Sequence, residues 1–231
     1  MHKRIGILGG MSPESTAEYY QHITRTYTER FGDHNYPEIV IYSVRFQPYI
    51  EWQRTGRWAL IAAGLREAAR RLAAAGAELI VIATNTMHMV FDEVQAGVDV
   101  PMLSLLEAVG DEIQARGMRT VGLLGTRYTM ELPFYPRALG QRGISVLAPA
   151  GADVDYINDV IYNELINGQI REPSRAGFLR IIGELTARGA EGIILGCTEI
   201  PLLVNERDAG ALLLDTTAIH AEAALRRALG E

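Results

Sequence analysis

The sequence predicts an α/β fold with two pseudo-symmetric lobes, each a short parallel sheet flanked by helices. An apolar run at 189–195 leads to Gly196 and Cys197, the only cysteine of the chain, as at the end of a buried parallel strand. The segment 76–85 repeats this pattern without a gap and places Thr84 where Cys197 stands. A second repeat at nearly the same offset joins two glycine-containing runs, residues 6–10 and 122–126. These repeats predict a duplicated unit, with Thr84 and Cys197 at equivalent strand ends that face one cleft.

The first copy shows four apolar runs separated by helical patterns. The predicted strands are residues 5–10, 38–44, 79–83 and 101–105, and the predicted helices are residues 13–29, 58–75 and 106–116. Ser12 and Pro13 supply the N-cap and the first turn of the first helix, and Gly117 ends the third. Residues 45–57 are rich in glutamine and arginine and are predicted as a long connection, of the kind that often carries function.

The second copy repeats the alternation of strands and helices. Its predicted strands are residues 120–124, 144–147, 189–195 and 212–214, and its predicted helices are residues 131–142, 153–167, 174–188 and a capped terminal helix that ends at 229. Pro201 lies where a short helix after Cys197 would begin, and the linker 168–173 corresponds to the long connection of the first copy. The terminal helix is expected to pack on the first lobe. The predicted lobes are therefore residues 1–103 with 216–231, and residues 104–215.

The composition limits the class of protein and of partner. The chain has 231 residues, 48% of them hydrophobic, which is enough for one large core or two smaller ones. Its apolar runs are far shorter than the roughly 20 residues of a membrane helix, and no signal peptide precedes the first strand, so we expect a cytoplasmic protein without membrane contact. A net charge of −6 with mixed signs gives no basic stripe for nucleic acid. The expected partner is a small molecule.

The same composition argues against metals, disulfides and pyridoxal phosphate. The five histidines are scattered without the spacing of a metal site, and one cysteine cannot form an internal disulfide. Lys3, the only lysine, precedes the first strand at the edge opposite the predicted cleft, whereas pyridoxal phosphate needs a lysine for its Schiff base. The sequence therefore predicts no metal and no cofactor.

Cys197 is the candidate catalytic group. It follows a glycine at a strand end, and helix-start amides are expected to lower the pKa of its thiol from about 8.5 toward neutrality, giving a thiolate that can take a proton. Thr84 and Thr198 are suited either to capping a helix or to contacting a ligand, and the predicted placement of Thr84 opposite Cys197 favours ligand contact.

Several motifs resemble the cofactor-independent aspartate/glutamate/hydantoin racemases, and the resemblance covers essentially the whole chain. The two motifs that correspond to the cysteine motifs of this family are Thr-Asn-Thr-Met-His at 84–88 and Gly-Cys-Thr-Glu at 196–199. Further similar motifs lie at residues 9–12, 125–131 and 215–220. In this family two cysteines on opposite sides of the substrate α-carbon remove and return its proton. The resemblance implies an amino-acid racemase with no cofactor, a small-molecule amino-acid substrate and a homodimeric assembly.

Thr84 stands where most members of the family have their first cysteine. The branch that the chain resembles most is the L-aspartate/glutamate-specific racemase, which also carries threonine there. The resemblance implies that Cys197 is the thiolate base and that Thr84 lies on the opposite face of the substrate. A threonine hydroxyl is too weak an acid to supply a resting base near pH 7, so we expect strongly unequal rates for L and D substrates, biased toward L.

The resemblance, together with the helix-start positions, assigns the substrate contacts. The residues assigned to the α-carboxylate and α-ammonium groups are Asn85, Thr86, Thr126 and Thr198. The residues expected to line the cleft from the glycine loop are Met11 and Ser12. The candidates for the side-chain end are Gln53, Arg45, Gln169 and Arg171. His88 fits a structural or a catalytic role, and His220 fits a structural one.

Three other functions stay open on the sequence. The first is a racemase of a neutral amino acid such as homoserine, which differs from aspartate only in its distal group. Arylmalonate decarboxylases share the fold and also keep one cysteine at the second motif, so Cys197 would suit protonation after decarboxylation, although their apolar pocket differs from the polar residues 84–86. The third is a non-catalytic amino-acid binder that has lost its first base.

Overall fold

The computed structural model describes residues 2–231, and they divide into two compact units. The first unit contains the chain up to Ala108 together with Thr217–Glu231, and the second unit is Val109–Thr216. Across residues 2–231, each unit contains one four-stranded parallel sheet flanked by helices. The predicted α/β class and the two similar lobes are therefore confirmed. No helix in these residues is both long enough and apolar enough to cross a membrane.

The first unit alternates strands with helices. Its strands are β1 (Ile5–Gly9), β2 (Ile39–Ser43), β3 (Leu79–Ile82) and β4 (Met102–Leu103), in the sheet order β2-β1-β3-β4. Its helices are α1 (Pro13–Phe31), α2 (Phe46–Arg54), α3 (Trp58–Ala74) and α4 (Phe91–Gln95), with a 3₁₀ segment at Thr86–Val90. Helix α5 (Leu105–Ala115) begins in this unit and ends in the second. As predicted, Ser12 caps α1, because its hydroxyl oxygen accepts a hydrogen bond from the Ser15 backbone N–H at 3.2 Å.

The second unit repeats this order. Its strands are β5 (Thr120–Gly125), β6 (Ser145–Leu147), β7 (Gly192–Gly196) and β8 (Leu213–Asp215), in the sheet order β6-β5-β7-β8. The helices of this unit that follow β5 are α6 (Arg127–Glu131), α7 (Phe134–Gly140), α8 (Ala152–Asn163), α9 (Glu172–Ala187), α10 (Ile200–Leu203) and α11 (Glu206–Ala209), with a 3₁₀ segment at Leu165–Asn167. The last helix of the chain, α12 (Thr216–Leu229), belongs to the first unit from Thr217 onward. The identical strand orders agree with the duplication seen in the sequence.

The two central strands of each sheet end side by side. Leu8 pairs with Ile82 in the first sheet, and Gly125 pairs with Gly196 in the second. Because the strands are parallel, the loops after β1 and β3 leave the same edge of the first sheet, and the loops after β5 and β7 leave the same edge of the second. The loop that carries Thr84 and the loop that carries Cys197 therefore begin at equivalent places in their own sheets.

Both faces of the first sheet are buried. On one face, Leu8 and Ile80 cluster with Leu65 and Leu72 of α3. The alternate strand residues point to the other face, where helices α1 and α12 cover them, and this second cluster contains Ile7, Val81, Tyr19, Ile23, Ala221 and Leu225. Burial on both faces explains why the strands are continuous apolar runs in the sequence instead of alternating patterns.

The predicted connection at 45–57 is wrong, because most of it forms the helix α2. Tyr49 is buried against α3, where a Cβ added at Gly64 would lie 2.6 Å from the tyrosine hydroxyl oxygen. Trp52 meets Tyr49 edge-on, with 5.2 Å between the ring centres. Pro48 falls in the first helical turn, where proline is tolerated. Packing of two aromatic side chains thus stabilises this helix, which is too short and too polar to show the helical spacing of apolar residues in the sequence.

The single helix predicted at 131–142 is also wrong, because the chain forms two short helices there. Leu132 between them has an extended backbone, with φ −77° and ψ 147°. This is the conformation that a following proline favours, and the next residue is Pro133. The predicted helix at 153–167 likewise ends as an α-helix at Asn163 and continues as the 3₁₀ segment.

Candidate active site

The backbone around Thr84 is held by two side chains of the first unit. The Ser15 hydroxyl donates to the carbonyl oxygen of Ala83 at 2.9 Å, and Nδ1 of His88 lies 2.9 Å from the carbonyl oxygen of Thr84. The Thr84 side chain is half-buried, and within residues 2–231 its hydroxyl makes no hydrogen bond. The loop is therefore fixed through its main chain and not through the Thr84 side chain.

His88 is a buried, neutral histidine whose two nitrogens have different roles. The backbone N–H of Leu105 donates to Nε2 at 3.0 Å, so Nε2 carries no proton. The proton of the neutral ring is then on Nδ1, which donates it to the carbonyl of Thr84. Burial lowers the pKa of His88 to about 4, although its backbone hydrogen bonds act in the opposite direction. These contacts are those of a structural residue that positions the Thr84 loop.

His220 on α12 is a second buried histidine of the first unit. Its Nε2 lies 3.0 Å from the carbonyl oxygen of Leu103 and therefore donates, so Nδ1 accepts from the Tyr19 hydroxyl at 2.7 Å. Burial is the main cause that lowers the pKa of His220 to about 3, and the electrostatic effect of the nearby His88 imidazole acts in the same direction. The centres of the two imidazole rings are 5.8 Å apart. Both histidines thus stay neutral at pH 7, and the structural role predicted for His220 agrees with its contacts.

Acid should destabilise the chain through these histidines. An unfolded histidine binds a proton below about pH 6.5, whereas the pKa of folded His88 is about 4. The free energy of unfolding is therefore lost as the pH falls through this window, by about 1 kcal/mol per pH unit for each histidine. We expect His88→Gln to flatten the pH dependence of the urea midpoint between pH 6.5 and 5, since glutamine cannot be protonated. The control His34→Gln, at an exposed position, should leave it unchanged. Equal slopes for wild type and His88→Gln would contradict a buried neutral His88.

The loop after β1 brings Met11 and Ser12 to the same edge of the first sheet. Gly10 has a φ of +92°, and a Cβ there would lie 2.6 Å from the carbonyl oxygen of Val44, so this turn requires glycine. The Thr16 hydroxyl accepts from the Gly10 backbone N–H at 2.8 Å and donates to the carbonyl of Ser12 at 2.9 Å. Met11 is buried and Ser12 is half-buried beside the loop that follows β3.

The other predicted contacts of the first unit lie on two neighbouring segments. Asn85 and Thr86 are buried directly after Thr84. Arg45 is exposed just past the end of β2, which pairs with β1, so it belongs to the same sheet edge. Gln53 is half-buried in the last turn of α2 and lies one helix away from that edge. A hollow of about 480 Å³ beside it is lined by Gln47, Ile50, Glu51, Trp52, Arg54, Thr55 and Arg57.

Cys197 follows β7 in the second unit and is bonded to a carboxylate. Its thiol donates to Oε2 of Glu199 at 2.9 Å, and the Thr198 hydroxyl donates to the same oxygen at 2.8 Å. Cys197 is half-buried, whereas Glu199 is only 8% exposed. The three residues therefore form one hydrogen-bonded group at the end of the strand.

The predicted lowering of the Cys197 pKa is wrong for this structure. The backbone amides of Thr198 and Glu199 do act to lower it, as expected at a helix start. They are outweighed by burial, the largest effect, and by the charge and hydrogen bond of the Glu199 carboxylate, so the pKa of Cys197 is raised well above its ordinary value. Cys197 is thus a thiol at neutral pH, and a base only after something offsets these effects.

Thr126 lies beside the Cys197 loop, because it follows β5 and Gly125 pairs with Gly196. Its hydroxyl oxygen is 3.3 Å from that of Thr129. The structure thus brings Thr126, Thr198 and Cys197 to one edge of the second sheet. The neighbouring cation, Arg127, forms ion pairs with Asp155 and Glu131.

Gln169 and Arg171 lie apart from this group. Both are exposed in the linker before α9, where the Arg171 guanidinium donates to the Gln169 side-chain oxygen and pairs with Glu164 at 3.4 Å. Within residues 2–231, no hydrogen bond or ion pair joins either residue to the Cys197 loop. Their role toward a substrate stays a prediction.

Two residues of the candidate site, Ser15 and Glu199, were not predicted from the sequence. Ser15 gave no signal, because its partner is a backbone carbonyl of a distant strand end. Glu199 did give one, since a glutamate two residues after a cysteine, at a turn into a helix, lies within reach of the thiol. A nearby carboxylate raises the pKa of a thiol, which opposes the effect predicted from the helix start.

The sequence and the fold both match known racemases. The family model described as Asp/Glu/Hydantoin racemase matches residues 8–224. The chain belongs to this family. It is 26% identical over 225 residues to the broad specificity amino-acid racemase RacX of Bacillus subtilis, an alignment that covers 94% of this chain and 95% of the relative.

Two solved structures are similar over nearly their whole length. A candidate Asp/Glu racemase of Yersinia pestis is 45% identical with a TM-score of 0.93, covering 98% of this chain and 99% of the other. An aspartate racemase homologue of Pyrococcus horikoshii is 39% identical with a TM-score of 0.88 and the same coverage. The predicted reaction class is therefore confirmed: the chain is an isomerase of the amino-acid racemase type.

Proposed function

We propose that this racemase interconverts the enantiomers of aspartate or glutamate without a cofactor. Cys197 is the thiolate base on one face of the substrate α-carbon, and Thr84 lies on the other. The observation that carries the proposal is the equivalence of the two loops. Strands β3 and β7 hold the same place in their sheets, and the loop after one carries a hydroxyl where the other carries a thiol.

The two groups differ strongly in acidity. A thiolate is a competent base near neutral pH, whereas a threonine hydroxyl essentially never ionises there and can only donate a hydrogen bond or pass a proton through water. The enantiomer whose α-hydrogen points at Cys197 should therefore exchange that hydrogen much faster, and we propose that this is the L form. Since the two enantiomers have equal free energies in water, kcat/KM must be equal in both directions. The preference for one enantiomer is therefore seen in the rate at which its α-hydrogen exchanges with solvent without inversion, and not in kcat/KM.

An acidic side chain on the substrate is supported by the arginines of the first unit. Arg45, Arg54 and Arg57 form no ion pair within residues 2–231, while Arg171 of the second unit is paired with Glu164. Uncompensated guanidinium groups suit a second carboxylate, which they bind with two parallel hydrogen bonds. We assign the α-carboxylate and α-ammonium groups to Asn85, Thr86, Thr126 and Thr198, with Met11 and Ser12 beside them.

Independence from pyridoxal phosphate is supported by the position of the only lysine. Lys3 precedes β1, and its backbone N–H donates to the carbonyl of Ala228, so it lies at the strand's amino end. The proposed substrate contacts follow the carboxyl ends of the strands. From the family resemblance we also propose a cytoplasmic homodimer, which sedimentation of the purified chain would test for the assembly.

Proton NMR in deuterated water tests the proposal directly. We expect loss of the α-proton signal from aspartate or glutamate, faster for the L than for the D form, and slower or absent for homoserine. Prior dialysis against a chelator and a carbonyl reagent should leave the rate unchanged. Exchange of homoserine alone would replace the acidic substrate with a neutral one, and release of carbon dioxide from an arylmalonate without amino-acid exchange would contradict the proposal.

A further inference from the structure

We propose that His220 is a positioning residue for Thr84, and that it acts through the segment 103–105 and His88. The last helix of the chain thus fixes the loop that faces one side of the substrate α-carbon, and with it the exchange rate of one enantiomer. This inference rests on the proposed function, since it takes Thr84 to lie opposite Cys197.

His220 holds the main chain at the point where the edge strand β4 ends. Its Nε2 donates to the carbonyl oxygen of Leu103 at 3.0 Å, and the Tyr19 hydroxyl donates to its Nδ1 at 2.7 Å. Strand β4 is only 2 residues long, and at its first residue the side-chain oxygen of Gln95 accepts from the Met102 backbone N–H at 2.6 Å. His220 is therefore the side chain that anchors the carboxyl end of this strand.

The same segment holds His88 two residues further on. The backbone N–H of Leu105 donates to Nε2 of His88 at 3.0 Å, and Nδ1 of His88 donates to the carbonyl of Thr84 at 2.9 Å. Within residues 2–231, no other side chain bonds to the main chain of Thr84. A displacement of the segment is therefore passed on to Thr84 through His88, because hydrogen bonds of this kind hold only at about 2.7–3.2 Å.

Burial fixes the direction of these hydrogen bonds. His88 is 4% exposed and His220 is fully buried, so water cannot replace a lost partner of either ring. Reversing the tautomer of His220 would set the Nε2 lone pair against the Leu103 carbonyl oxygen, with no proton between the two acceptors. A buried pair of facing acceptors is unfavourable, because neither is satisfied. A substitution that removes the His220 donor therefore breaks the bond to Leu103 and loosens the segment that holds His88.

Two substitutions at His220 separate the hydrogen bond from the packing of the ring. His220→Leu fills much of the same volume but cannot donate to Leu103, whereas His220→Gln places an amide N–H where Nε2 lies and keeps that donor. Exchange of the α-hydrogen is measured in deuterated water for each enantiomer separately. We expect His220→Leu to slow the D form, whose hydrogen faces Thr84 under the proposed function, by about tenfold, because a displacement of about 1 Å can cost about a hundredfold. The L form should keep its rate, and His220→Gln should restore the wild-type ratio of the two rates.

Leu225→Ala is the matched control on the same helix. Leu225 is buried in the cluster that contains Tyr19, so its substitution loosens the packing of α12 without removing the donor to Leu103. It should change both enantiomers by the same factor, because a loss of stability alone leaves their ratio unchanged.

A second readout needs no substrate. Heteronuclear NMR of the ring nitrogens in wild type should find the proton of His88 on Nδ1 and that of His220 on Nε2. In His220→Leu the ring proton of His88 should exchange with water faster than in wild type, whereas in Leu225→Ala and His220→Gln it should not.

The outcomes separate this inference from the racemase proposal. The opposite tautomer for either histidine in wild type would overturn the positioning role even if the variants failed to fold. So would a wild-type ratio of the D and L rates in His220→Leu, or the same altered ratio in His220→Leu and His220→Gln. If the tautomers and the His88 ring proton behave as expected but no amino acid exchanges its α-hydrogen, the proposed function fails and the coupling of His220 to His88 stands.

Discussion

Cys197→Ser should reduce α-hydrogen exchange by about 10²–10⁴-fold while substrate binding stays nearly unchanged. This range is what a positioned proton-transfer group ordinarily contributes. A serine hydroxyl has nearly the size of the thiol and can still donate to Glu199, but it does not ionise near neutral pH. The measurement is deuterium incorporation from water into each enantiomer, with binding followed by calorimetry.

The matched control is Thr198→Ser, which keeps the hydroxyl that bonds to Glu199 and should retain most of the exchange. If Cys197→Ser kept more than about a tenth of the wild-type rate, Cys197 would not be the base. Loss of binding along with loss of exchange would point to a damaged site and not to the missing thiolate.

Thr84→Cys should speed the exchange of the slower enantiomer by tenfold or more and leave the faster one nearly unchanged. A thiol of ordinary pKa is several per cent ionised at neutral pH, whereas a hydroxyl is ionised to a negligible extent. The loop can accept the change, because Ser15 and His88 hold its backbone and no hydrogen bond to the Thr84 side chain is lost within residues 2–231. Deuterium incorporation is measured for L and D substrates separately.

Thr186→Cys is the control for a second thiol elsewhere, since Thr186 is exposed on α9. It should leave both enantiomers unaffected. Equal acceleration of both enantiomers by Thr84→Cys, or of neither, would mean that Thr84 does not face the α-carbon opposite Cys197. The size of the effect depends on placement, because a displacement of about 1 Å can cost a hundredfold.

The sequence predicted those parts of the fold that depend on burial along a strand. The runs that became β3 and β7 are buried at every residue, and that burial leaves a continuous apolar pattern in the sequence. Helix α2 left no such pattern, because its stability comes from Tyr49 meeting a glycine on α3. The break between α6 and α7 was predictable, because the residue before a proline such as Pro133 disfavours a helical backbone. The helical pattern on both sides of Pro133 concealed it.

The positions of the two candidate loops were predictable from the sequence, but the electrostatics around Cys197 were not. The repeat placed Thr84 and Cys197 at equivalent strand ends, and the strand pairing agrees with that. Two opposing effects decide whether the pKa of Cys197 is raised or lowered: burial and the Glu199 carboxylate raise it, and the backbone amides lower it. Sequence position reveals the amides, whereas burial and the 2.9 Å contact exist only in the folded chain.

The contrast between the two loops bears on how such an enzyme can diverge after a duplication. The loop at position 84 takes its shape from main-chain carbonyls, so natural selection can replace its side chain in one step without rebuilding the loop. At position 197 the side chain is itself bonded, because its thiol donates to the Glu199 oxygen that also accepts from Thr198. Under the proposed function, the preference for one enantiomer can therefore change by substitution at position 84, while the Cys197 loop keeps its thiol.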